Sequence, residues 1–453
     1  MRQSQSAIIL KYLVSLKLLM ATGLAFFSHE SLASMPVRSF PEHPLVRPPT
    51  AGHADSERFP LRIHWAEGVD QAYCLTMLKT AEVAWERMFN EMGFMAPLSD
   101  LGEGGSHAFD VYIVTNLQPG IGGYTSFSGF NEDTPHADAY GYVVFAHDLK
   151  PRYLRGVVAH ELFHASQMAY DWWEDVSFME ASSTWIVDHV FDDEDLYWKY
   201  YSWYNRQPWK ALDFISLADP YQYGAGMFLQ FLDEHYGQGD GSFVRAVWEL
   251  SVQNDPINEP DFFDAIDALL KQQGQSFEKA FHDFGTWRVL VGPMDDSRHF
   301  AEGSTWGPEM AVPLAADLAW DGLQKPESGR LEHPLQPYSH AFFRVTGERL
   351  PQQFTATTDP VTRLQIKWFL RKADGGIDCE GESPVLPGGG RIDLPSTCGQ
   401  RVGADSRNDI SGDLRELWVY VTNLADGAYD TESPVWTESQ VEWSFLNSTI
   451  PGI

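Results

Sequence analysis

His160-Glu161-Leu162-Phe163-His164 is the part of this sequence whose residue types and spacing could do chemistry. Residues four apart share one face of a helix, so two imidazoles can meet one metal ion at ~2.0–2.1 Å while Glu161 stands beside an open coordination position. Three nitrogen or oxygen ligands leave room for a water that a zinc ion would acidify and Glu161 would deprotonate. A structural zinc site would instead want four protein ligands, usually cysteines. The plain alternative is a pair of surface or core histidines. Context favours ligands: the flanks in LRGVVAHELFHASQMAY are apolar, and the segment follows a β-patterned stretch.

The third ligand must come from downstream, and Glu180 in Ser177-Phe178-Met179-Glu180-Ala181-Ser182-Ser183-Thr184-Trp185 is the candidate. The loop at 171–176 allows a second helix to return antiparallel to the first, bringing its start near the metal. A competing reading uses the same residues, because Ser177-x-x-Glu180 is also a capping box in which Glu180 would serve only its own helix. Asp171, Asp175 and Asp188 are weaker alternative ligands. The metzincin pattern is excluded, since Gln167 and Tyr170 stand where its Gly and third His belong.

The elements that must position these residues follow from hydrophobic period and breakers. RFPLRIHW from Arg58 reads as a strand, Ala72 to Met92 as an amphipathic helix stopped by Gly93, and Phe109–Val114 and Tyr140–Ala146 as further strands. The Gly- and Asn-rich stretch between the last two, LQPGIGGYTSFSGFNEDTPHADA, reads as loop. Helical patterns dominate from Tyr153 to about Leu290. Beyond them AFFRVT, LQIKWFLR, ELWVYVTN and QVEWSFL are short strand-like runs, which suggests an antiparallel β-sandwich. The expected fold class is α+β, with a sheet subdomain over 58–150, a helical subdomain over 151–300, a linker over 301–337 and the sandwich over 338–453.

Composition bounds the function class. The 453 residues carry 32 Lys plus Arg against 63 Asp plus Glu, a formal net charge of −31, which argues against nucleic acid or an anionic membrane surface as partner. Aromatics at 14% argue for a folded chain despite that charge. Residues 1–33 combine Arg2, Lys11 and Lys17 with the apolar stretch Leu18 to Phe27 and then Ser31-Leu32-Ala33, the pattern of a cleaved secretory signal. The expected location is therefore secreted or periplasmic, with no membrane span after cleavage. Residues 34–57, rich in Pro and His, read as an extended leader. In an exported protein Cys379 and Cys398 are expected to bridge, leaving Cys74 as a buried free thiol.

With these residues in view, the sequence resembles the gluzincin zinc metallopeptidases, whose HExxH helix is followed by a second helix supplying a Glu ligand. It looks most like a group of secreted bacterial metallopeptidases in which HExxHxxQxxYD precedes a Trp-rich turn and a helix begun by Met-Glu. Here those segments read HELFHASQMAYD, WWEDVSF and MEASSTWIVD, and the resemblance covers about Arg58 to Leu290. It implies zinc held by His160, His164 and Glu180, Glu161 as general base, and a peptide or protein substrate. Thr184 stands where thermolysin-like relatives have an Asp, so the partner that orients a ligand histidine is unassigned, with Asp188 or a backbone carbonyl as stand-ins. Gluzincin aminopeptidases also carry Tyr-x-x-Gly before an apolar helix, the Tyr stabilising the oxyanion. Tyr221-Gln222-Tyr223-Gly224 matches, implying Tyr221, with Tyr223 next in line. Their acidic amine-binding motif has no counterpart in Tyr140–Ala146, which as an exposed edge strand could take a peptide by β-addition; an endopeptidase is expected over an aminopeptidase. The rival expectation is an inactive pseudopeptidase or adhesin binding protein or glycan through the sandwich.

Overall fold

The structure, a computed structural model, describes residues 46–118, 120–193, 197–252, 260–321, 326–372, 374–395, 415–425 and 437–447. The chain is mixed α and β and divides into two compact units. The first runs to Tyr201 and takes in Ile215–Gly274; the second comprises Ser202–Phe214 and the chain from Gln275 onward. The division thus falls near residue 274, not 300. Residues 1–33 and Cys398 lie outside the described residues, and with them the expected signal and the Cys379–Cys398 bridge. Cys74 is free and buried.

The first unit is built on a five-stranded sheet. In chain order it begins with β1 (Gly52–Asp55) and β2 (Leu61–Trp65), continues through the helix α1 (Gln71–Trp85), then β3 (Phe109–Val114), β4 (Gly123–Phe130) and β5 (Ala139–Ala146). The order across the sheet is β1-β2-β3-β5-β4, with β2, β3 and β5 parallel and the two edge strands antiparallel to their neighbours. α1 is extended by a π-helical turn, Glu86–Glu91, and the chain leaves through Gly93 at φ +78.

Three expectations are corrected here. The stretch read as an extended leader contains β1, and Arg47 just before it is clamped between Asp100 (3.0 Å) and Asp110 (2.6 Å), two fully buried carboxylates. The stretch read as loop contains β4, whose Gly, Ser and Thr content hides a strand that is made by pairing rather than by apolar alternation. Consequently Tyr140–Ala146 is no edge: β4 covers it on one side and β3 on the other, and the edge is β4 itself.

Helices complete the first unit: α2 (Pro151–Tyr170), α3 (Val176–Val190), α4 (Trp198–Asn205, which continues into the second unit), the single turn α5 (Tyr221–Gly224), α6 (Gly226–His235), α7 (Ser242–Leu250) and α8 (Phe262–Gln272). α2 starts at Pro151, where a missing N–H costs nothing, and is buried throughout from Val157 to Tyr170. Asp175 caps α3 by accepting from the Ser177 amide at 2.6 Å.

The second unit contains α9 (Phe277–Val289) and the strands β6 (Leu314–Ala319), β7 (Glu327–Arg330), β8 (Ser339–Gly347), β9 (Gln353–Thr357), β10 (Arg363–Arg371), β11 (Ile377–Glu382), β12 (Leu386–Pro387), β13 (Gly389–Asp393), β14 (Arg415–Asn423) and β15 (Glu442–Leu446). One sheet has the order β11-β10-β14-β8-β6, with β12 beside β10; the other has the order β13-β9-β15-β7. Inward residues of both, among them Phe343, Phe354, Ile366, Val419 and Phe445, share one buried cluster. The linker expected over 301–337 is not one, because β6 and β7 within it are paired strands. Nor is every pairing antiparallel: β6 runs parallel to β8.

Candidate metal centre

α2 and α3 bring the expected ligands together. His160 Nε2 lies 3.1 Å from His164 Nε2, and Glu180 Oε2 lies 3.2 Å from the first and 3.6 Å from the second. Ligands held tetrahedrally at ~2.0–2.1 Å from an ion stand about 3.3 Å apart, so the triangle fits one ion of that kind. Among the described residues this is the group of three His, Cys, Asp or Glu side chains whose ligand atoms, all within 4.8 Å of one another, could hold a metal ion. None of the three is more than 6% exposed, and Glu180 Oε2 has no hydrogen-bond partner. A buried, unpartnered carboxylate oxygen facing two nitrogens is costly unless a cation completes it.

The electrostatics say the same. Burial opposes ionisation of Glu180, yet His160 and His164 hold its pKa well below the usual carboxylate range. Burial likewise opposes charge on His164, but the Glu180 carboxylate raises its pKa above the ordinary value, while burial lowers that of His160. A positive charge is wanted at the point where a metal ion would sit.

The partners that orient the ligands differ from those expected. His164 Nδ1 lies 2.8 Å from Gln167 Oε1 and 3.1 Å from Ser183 Oγ. Gln167 is itself fixed, its Nε2 lying 2.9 Å from the Met179 carbonyl, 3.0 Å from Ser182 Oγ and 2.9 Å from Ser183 Oγ, acceptors that share its two N–H hydrogens. A neutral amide therefore ties α2 to α3. Gln167 lies three residues past His164 on the same helix face, the signal by which sequence could have found it.

The capping-box alternative for Glu180 is not realised: Asp175 is the cap, Ser177 lies inside α3, and Glu180 faces the histidines. Asp175 is spent on that cap, and Asp171 accepts from the Trp173 amide at 2.8 Å in the connecting turn.

Glu161 is fully buried beside the ligands. The Thr125 hydroxyl of β4 stands 2.7 Å from its backbone carbonyl and 3.0 Å from Oε2, while Oε1 has no hydrogen-bond partner. Burial pushes the carboxyl pKa up to about 7, within the range where a group both takes and releases a proton. Its neighbour on β4 must be small: a Cβ on Gly123 would stand 3.1 Å from Glu161 Cγ and 2.7 Å from Phe145.

Of the two tyrosines weighed, Tyr223 is the one placed against the site. Its ring stacks on that of His160 at 5.7 Å and 27°. Burial, then Glu180 and Glu161, raise its hydroxyl pKa well above the usual value, so it stays a donor. Tyr221 is fully buried, and two residues apart on a helical turn the side chains do not face the same way. Tyr200 of α4 stands behind, its ring 5.7 Å from that of Tyr223. Close approach sets this arrangement, since a Cβ on Gly226 would lie 2.7 Å from the Ala181 carbonyl of α3.

Comparison of the chain with models of known families and with curated proteins finds no match. No helix among the described residues is long and apolar enough to cross a membrane.

Proposed function

We propose that this protein is an exported zinc-dependent peptidase of gluzincin type, an endopeptidase that cleaves peptides or proteins. The observation that carries the reading is the triangle of His160, His164 and Glu180 with the free Oε1 of Glu161 beside it. Ligand geometry alone would suit a structural ion. A buried carboxylate with an unpartnered oxygen, next to a three-ligand site, suits one that acts on water.

His160, His164 and Glu180 would hold the ion. When bound, zinc supplies Lewis acidity, polarising the scissile carbonyl and making water a stronger nucleophile at neutral pH. Glu161 would accept the proton of the attacking water at Oε1, with Thr125 holding Oε2 so that the acceptor stays aimed, and would hand that proton to the leaving amine. Tyr223, kept protonated by its surroundings, would donate to the oxyanion of the tetrahedral intermediate. Gly123 and Thr125 line the same edge, where an extended peptide could add to β4 as a further strand. The second unit we read as a β-sandwich on the strength of its two sheets sharing one core.

Substituting Glu161→Gln tests the reading. Zinc should remain at one equivalent by elemental analysis while hydrolysis of a broad peptide library, read by mass spectrometry, falls by about 10² to 10⁴. Chelation should silence the native protein and zinc should restore it. A native protein as active in chelator as without it, or a Glu161→Gln variant as active as native, refutes the proposal.

A further inference from the structure

The Trp-rich turn between α2 and α3 has no part in the chemistry above, yet it is tied to the strand that flanks it. The Trp172 amide donates to the Ala137 carbonyl of the β4–β5 connection at 3.0 Å. The Trp172 ring meets that of Phe127 at 4.8 Å, Phe127 meets Phe130 at 5.0 Å, and Phe130 lies over Trp173 at 6.1 Å and 25°. A core cluster would bury these rings. Instead Phe130 is 41% exposed and the other three are half-buried, whereas Tyr170, at the end of the helix that leads into the turn, is 1% exposed.

Position gives this surface a use. The Ala146 amide donates to the Gly122 carbonyl, so by the antiparallel alternation Tyr124 and Ser126 also turn their backbone groups toward β5. Gly123 and Thr125 turn theirs to the open edge, where no described strand pairs with β4. Gly123, Thr125 and Phe127 lie on the face toward α2, the Gly leaving room there for Glu161. Phe127 therefore stands two residues, roughly 7 Å, along the edge from the Thr125 that touches Glu161. A register shift between Phe127 and Gly129 then brings Phe130 round to the same rings. Past it, Glu132 and Asp133 are exposed, which disfavours an acidic occupant.

Resting on the peptidase reading, we infer that Phe127, Phe130, Trp172 and Trp173 form a subsite for a large apolar or aromatic side chain of a neutral or basic peptide extended along β4, about two residues from the bond to be cleaved. The subsite is built into the turn joining the two metal-ligand helices, so the position of the recognised side chain and that of the reacting carbonyl are fixed by one framework.

Three quenched peptides, alike except for Phe, Gly or Glu two residues from a single cleavable bond and prepared for either side of it, test the inference. The native protein should favour Phe over Gly by about 10-fold or more in kcat/KM, with Glu the poorest, the usual worth of filling an apolar pocket. Phe130→Ala should bring the Phe-to-Gly ratio toward one. Trp173→Leu, which keeps an apolar side chain in the turn, should lower it in part. Indifference to the three peptides, or a ratio untouched by Phe130→Ala, overturns the subsite. Polarisation of the same peptides, labelled, separates the two ideas. Selective binding of Phe that is lost in Phe130→Ala, without any cleavage, sustains the subsite and sinks the peptidase reading; binding of none, or of all alike, sinks the subsite.

Discussion

Two pairs of buried histidines, one in each unit, show how little burial says about chemistry. In the first unit His160 and His164 point Nε2 atoms at one carboxylate oxygen, and the pocket asks for a cation. In the second, His282 and His340 are fully buried too, but His282 Nδ1 lies 2.7 Å from the Thr422 hydroxyl and His340 Nδ1 lies 3.3 Å from the Arg288 guanidinium. Burial, and then Lys367 and Lys279 near one and Arg288 near the other, lowers both pKa values well below the usual imidazole range. The nearest carboxylate oxygen to His282, on Glu382, is 3.8 Å away and belongs to a side chain 36% exposed. Convergence on a buried anion separates a ligand pair from two neutral imidazoles in a core.

The largest effect should come from removing that convergence. His160→Ala or His164→Ala should abolish stoichiometric zinc after dialysis, and Glu180→Ala should weaken it by orders of magnitude, whereas His282→Ala and His340→Ala should leave metal content alone. Zinc lost with the second pair, or kept without Glu180, would erase the contrast.

Next in size is a hydroxyl. Tyr223→Phe should keep zinc and lower kcat by about 10² to 10³, because the ring that stacks on His160 survives and only the donor to the oxyanion goes. Tyr221→Phe should cost little. The reverse result would return the role to Tyr221.

A smaller step probes the neutral partner. Gln167→Ala leaves His164 Nδ1 with Ser183 Oγ and should weaken zinc binding by about 10- to 100-fold in a chelator competition.

The smallest concerns a carboxyl that, unlike Glu180, has no cation to meet. Burial and then Asp171 and Asp261 raise the pKa of Glu174 well above 4.5. The folded chain keeps a proton there that the unfolded chain gives up, so this residue makes stability fall as pH rises from about 4.5 toward the folded-state value. Glu174→Gln should therefore raise Tm by about 2–4 °C at pH 7, as roughly 1 kcal/mol does in a domain of this size, with the gain vanishing toward pH 4. Equal gains at both values would mean that its proton is not the cause.

What the sequence could reveal of this site followed from how local each signal is. His160, Glu161 and His164 lie on one helix, where spacing alone sets the face. Glu180 was reachable because a short turn forces the next helix back. Choosing between Tyr221 and Tyr223 depended on the phase of a four-residue turn packed at Gly226, which no periodicity reports. β4 escaped because Gly123, Ser126, Ser128 and Gly129 carry no strand pattern, and only the partner β5 makes them one. In the second unit the apolar runs of β8, β10, β14 and β15 were legible. β6, β7 and β13 are not, because small, charged or Gly residues at sheet edges carry no strand pattern, and β6 and β7 fall where the sequence reads as a linker.

Arg47 ties the start of the described chain into the first unit. It brings a positive charge that offsets Asp100 and Asp110, with His64 at 2.8 Å from Asp110 as a further partner. Removing Arg47 would take from two buried carboxylates the cation that touches both and would strip β1 of its lead-in. The segment from Arg47 through β1 is therefore a built-in part of the first unit rather than a detachable leader.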